Sequence, residues 1–112
     1  MARGGTFMNT RAASDHAEAN SSALLGAPLP DDPLALCERQ KLRALIDYFA
    51  RDFRAAALGS EKAIDMAREL GLSYEVAVNL HNLGDVLVQL EDYARAYGAI
   101  KQSLSLCEEF GH

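Results

Sequence analysis

The chain of 112 residues has no tryptophan, two cysteines, three prolines and no long apolar run. Each scarcity excludes something. Aromatic residues make up only 7% while apolar residues make up 49%, so a globular core is available, but it must be built from alanine and leucine. No apolar stretch approaches the roughly 18 residues of a membrane span, and no membrane association is expected. The opening "MARGGTFMNTRAAS" carries Arg3 and Arg11 but no apolar core, so it is not a secretory signal. Asp15 and Glu18 follow too closely for a transit peptide. Cys37 and Cys107, without an export signal, read as free thiols in a reducing cytoplasm. A net charge of −5 and a pI near 5.1 leave no general phosphate-binding surface, so nucleic acid is not an expected partner.

The prolines Pro28, Pro30 and Pro33 fall in one short segment, and none follows. Residues 1–32 lack periodicity and are rich in Ala, Ser, Asn and Gly, which predicts a disordered leader. Residues 33–112 form the helical domain. Asp32 suits an N-cap and Pro33 the first helical turn. Four helices are expected, over about 33–50, 53–70, 74–90 and 93–110. The first carries Leu34, Leu42, Leu45, Ile46 and Phe49 as its apolar residues, and the third carries the stripe Val76, Leu80, Leu83, Leu87 and Leu90. Asp52 and Asp92 are N-caps, Ser73 leads into the third helix, and Gly71 and Gly111 follow helix ends. Joints of two to four residues force neighbouring helices antiparallel.

A shift of 40 residues lays the second helix on the fourth. Asp52 meets Asp92, Phe53 meets Tyr93, Ala56 meets Ala96, Ala63 meets Ser103, Ile64 meets Leu104 and Gly71 meets Gly111. Caps, small positions and large apolar positions all keep their class, which marks an internal repeat with units of about 33–71 and 72–111. The first and third helices match less closely. Gly84 falls on Ala44, and "ARDF" reads as a shortened version of "LEDY".

The segment "NLHNLGDVLVQLEDYARAYGAIKQSLSL" resembles the tetratricopeptide repeat, a helix–turn–helix unit. The resemblance rests on Leu80, Leu83-Gly84, Leu87, Asp92-Tyr93, Ala96, Ile100 and Ser103, and on Phe53, Ala56 and Ala63 in the first unit. Glu108 replaces the family's closing proline and Glu91 its turn glycine. With the 40-residue period and the "SLCEEFG" ending, the chain is similar to a longer variant of bacterial signalling and regulatory proteins. The match is close over 75–111 and weaker over 42–71. It implies an all-α fold: two antiparallel hairpins in a right-handed α-solenoid. Small residues support this independently, because Gly84 and Ala96 on facing helices allow close approach despite the roughly 1 kcal/mol of lost helix propensity at Gly84.

The resemblance also implies a function: non-catalytic protein–protein binding, as scaffold or adaptor, of a peptide or partner helix on the concave face. The residues it places there are Val78, His81, Asp85, Val88 and Gln89. One subclass of the family grips C-terminal carboxylates through Lys and Asn. The matching places hold His81 and Asp85 here, and Asp85 would repel a carboxylate. An alternative is a regulatory segment detached from a larger signalling protein such as a kinase or nucleotide-dependent regulator.

No catalytic, cofactor or metal site is expected. Cys37, His81, Cys107 and His112 lack the close pairing of zinc ligands. "LGSEKA" at 58–63 lacks phosphate-loop spacing. Glu91-Asp92 and Glu108-Glu109 have neither base nor nucleophile beside them. Lys41, Arg43, Arg51 and Arg54 read as a solvated basic face, or alternatively as a docking patch for an acidic partner. Phe110, Ile100 and Leu104 on the last helix would face the next helix of a longer array. They are expected to form an exposed apolar patch, suited to self-association or left bare by truncation.

Overall fold

The computed structural model describes residues 32–110. The expected leader up to residue 31, Gly111 and His112 lie outside the described residues. Four helices of 17 residues follow in order: α1 (Pro33–Phe49), α2 (Phe53–Glu69), α3 (Ser73–Gln89) and α4 (Tyr93–Glu109). Among the described residues there is no strand, and no helix is long and apolar enough to cross a membrane. The starts at residues 33, 53, 73 and 93 give a step of 20 residues, helix plus joint. The 40-residue repeat is therefore two such steps.

The three joints share one geometry. Arg51, Gly71 and Glu91 each take a left-handed conformation, with φ of 66°, 68° and 61°. In each joint the next amide reaches back five residues: Asp52 N–H to Asp47 O, Leu72 N–H to Ala67 O and Asp92 N–H to Leu87 O, all at 2.9 Å. A second bond runs from the left-handed residue to the carbonyl three before it. This Schellman pattern satisfies the last helical carbonyls. Asp32, Asp52 and Asp92 then accept from Leu34, Ala55 and Arg95 amides at 3.3, 3.3 and 3.4 Å. α3 opens at Leu72 with no side-chain cap. The "ARDF" turn is thus as long as "LEDY", correcting the expected shortening, because αL geometry is held by Arg51 and Glu91 as well as by Gly71.

Each helix packs on the next: α1 on α2, α2 on α3 and α3 on α4. The core gathers Ala56, Ala57, Ile64 and Ala67 of α2, Val76, Leu80, Leu83, Val86 and Leu87 of α3, and Ala96 and Ala99 of α4. The α3 stripe lies where its spacing predicts. The α1 pattern does not. Leu34, Ile46 and Phe49 are exposed, while Cys37, Glu38, Lys41, Ala44 and Tyr48 are buried. The small residues Cys37 and Ala44 let α1 close on α2, and this rotates the larger apolar row outward.

Small residues set the contact in both helix pairs. A Cβ at Gly84 would run into Ile100 Cγ1 and Cδ1 and stand 3.6 Å from the Ala96 carbonyl oxygen. The close approach predicted at Gly84 and Ala96 therefore holds, with the Ile100 side chain filling the space. In the first pair the glycine sits on the other helix: a Cβ at Gly59 would stand 3.2 Å from Ala44 Cβ. Cys37 Sγ contacts the Ala63 carbonyl at 3.8 Å, and Ser103 Oγ donates to the Ala77 carbonyl at 2.7 Å. These are the same two places in the repeat with the donor moved from one helix to the other.

Candidate interaction surface

Positions 40 apart are equivalent, so each residue of α1 has a counterpart on α3. Glu38, Lys41 and Leu45 correspond to Val78, His81 and Asp85, and Tyr48 and Phe49 correspond to Val88 and Gln89. The expected binding strip on α3 is therefore the counterpart of a strip on α1, and in α1 that strip meets α3. Lys41 Nζ lies 3.1 Å from Glu38 Oε1 and 3.4 Å from Glu75 Oε1 of α3. Only 3% of Lys41 is exposed, so it does not belong to a solvated basic face as expected. Arg43, Arg51 and Arg54 do remain exposed.

Two carboxylates thus share one ammonium inside the fold. Burial pushes the Glu38 carboxyl up, the Glu75 charge adds to the push, and Lys41 pulls the other way. Burial also raises the Cys37 thiol to about 11, with Glu75 and Glu38 adding to it. A thiol held there is protonated at neutral pH and is no nucleophile. Among the described residues no group of His, Cys, Asp and Glu is placed to hold a metal.

On α3 the strip divides. Val78 is buried and offers a partner no surface, whereas Val88 and Gln89 are exposed. His81 and Asp85 are half-buried, with His81 Nε2 3.9 Å from Asp85 Oδ2. Among the described residues His81 Nε2 is itself buried without a hydrogen bond. A buried ring nitrogen without a hydrogen-bond partner carries a desolvation cost that a docking group can remove.

α4, which packs on α3, carries an exposed apolar row. Tyr93, Tyr97, Ile100 and Leu104 are spaced four, three and four residues apart, and all are exposed, Tyr97 at 67% and Leu104 at 58%. Their counterparts on α2 are Phe53, Ala57, Ser60 and Ile64, of which the last three are buried. The expected apolar patch on the last helix is therefore present through Ile100 and Leu104. Phe110 is only partly exposed, and its ring centroid lies 6.3 Å from that of Tyr74. Tyr93 is exposed, while its counterpart Phe53 packs 5.7 Å from the Tyr48 ring.

A separate groove of about 360 Å³ runs between α2 and α4 with Leu80, Leu83 and Leu87 as its floor. An ion pair between Glu61 and Arg95 ties these two helices together.

The buried Glu38–Lys41–Glu75 cluster escaped the sequence reading. Its signal was present in the repeat, since Lys41 falls on the His81 place of a strongly apolar helix. No protein-family profile, curated protein or solved structure matches the chain.

Proposed function

We propose that the chain is a non-catalytic protein–protein interaction module of the tetratricopeptide type. It binds a partner helix in the cleft between α3 and α4. The observation that carries this reading is the α1 strip: Lys41, paired with Glu38, reaches Glu75 of α3, and one repeat later the same strip on α3 is half-buried at His81 and Asp85 and exposed at Val88 and Gln89. A surface that seats a helix once within a repeat is suited to seat another at the next unit.

The test is capture of binding proteins by the immobilised chain, compared with a His81→Ala, Asp85→Ala, Gln89→Ala variant. The proposal expects specific captured proteins to be lost with the triple variant and kept with a variant on the outer face of α2, Leu58→Ser. Equal capture by the triple variant would place binding elsewhere.

A further inference from the structure

We propose that the partner helix of the α3–α4 cleft is α1 of a second copy, so that chains associate head to tail. This rests on the reading of that cleft as a helix-docking surface. The internal interface supplies the register. Glu75 of α3 meets Lys41 of α1, and the repeat makes Ala35 the counterpart of Glu75 and His81 the counterpart of Lys41. A second α1 in the same register sets its Ala35 at His81. One turn further, its Arg39 stands at Asp85 and its Leu42 at Val88. The charges are complementary and the apolar residues meet.

The other wall fits as well. In that placement the second α1 runs antiparallel to α4, as α3 runs against α2. Its exposed and half-exposed row Leu42, Ile46, Phe49 is spaced four then three. Read in the opposite direction, the α4 row Leu104, Ile100, Tyr97 is also spaced four then three. In this antiparallel placement, which the internal register sets, the two apolar rows have the same spacing. Ile46 is 67% exposed, as is Tyr97, so the two rows offer their apolar surface at opposite ends of one molecule. Such an interface uses two different faces and does not close on itself, so it yields dimers and then longer chains as concentration rises.

The experiment is sedimentation equilibrium of the full chain from micromolar to millimolar concentration. Wild type is expected to rise above the monomer mass of 12.2 kDa. Ile46→Glu spoils the donor face, and Tyr97→Glu spoils the acceptor face; Leu104→Glu is a second acceptor variant. Each variant alone is expected to stay monomeric with an unchanged melting curve. Mixed, a donor-face and an acceptor-face variant each keep one intact face, so they are expected to form a dimer that grows no further. Arg39→Asp is expected to weaken association about tenfold, and Asp85→Arg on the other copy to restore it. Wild type that stays monomeric, a single variant that associates like wild type, or a mixture that stays monomeric would each overturn the proposal. Monomeric wild type whose captured proteins are still lost with the triple variant would refute self-association while leaving the helix-docking reading intact.

Discussion

The two helix pairs follow the same 20-residue step but fill it with different chemistry. In the second pair, α3 is buried along most of its length by apolar residues, and a glycine on α3 receives a large side chain from α4. In the first pair, α1 turns its larger apolar residues outward and buries charge, while the glycine lies on α2. The difference teaches what each helix must do. α3 has neighbours on both sides in the sequence, and burying apolar side chains serves it on every face. α1 reaches past α2 to α3 through Lys41, a long side chain that carries its own partner, Glu38. Buried ionic groups of this kind add little net stability but penalise other arrangements.

Breaking each pair at its signature residue separates these roles. Gly84→Leu is expected to cost about 3 kcal/mol or more, because its first carbon already collides with Ile100. Gly59→Ala, whose Cβ would stand 3.2 Å from Ala44 Cβ, is expected to stay within about 1 kcal/mol. Urea unfolding measures both, and equal effects would remove the asymmetry between the pairs. Lys41→Met is expected to cost about 3 kcal/mol at neutral pH, since it leaves two carboxylates buried side by side. At the equivalent place on α3, His81→Ala is expected to change stability by no more than about 0.5 kcal/mol.

The acidity of Glu38 gives a pH signature that sharpens the same contrast. Folding raises its pKa above the ordinary 4.5, so the folded state holds this proton more tightly than the unfolded state. Its contribution favours folding below pH 4.5 and is lost as pH rises through the raised value. Glu38→Gln is expected to stabilise the fold above that window, by about 1 kcal/mol, and to flatten this part of the pH profile. Unfolding curves from pH 4 to 8 for both proteins check it; a variant destabilised at pH 7 would show that Lys41 needs both carboxylates. The joints carry a small effect of opposite sign. Arg51→Gly and Glu91→Gly are each expected to gain about 0.5 kcal/mol, because a left-handed residue with a side chain is strained where glycine is not.

Much of this architecture is legible in the sequence. The helix limits agree within one residue, because aspartates mark three starts and the 40-residue shift marks repeated ends. The α3 stripe is legible because one apolar row dominates it. The left-handed geometry of Arg51 and Glu91 is not, since neither residue type favours it and the fold imposes it. Nor is the inward face of α1. Lys41 and Glu38 carry surface chemistry and are buried only because each supplies the other's partner, while Ile46 and Phe49 carry core chemistry and lie outside. Of the strip proposed to bind, the helical placement is legible, but the burial of Val78 depends on packing that spacing alone does not specify.

The central claim is that the α3–α4 cleft receives a helix as the α1–α2 pair receives α3. Backbone amide spectra over a concentration series test it most directly. The account expects shifts that grow together at Arg39, Leu42 and Ile46 on α1 and at His81, Asp85, Val88, Tyr97 and Leu104 in the cleft, with α2's outer face around Leu58 unmoved. Shifts centred on α2, or a cleft that stays silent while α1 moves, would contradict it.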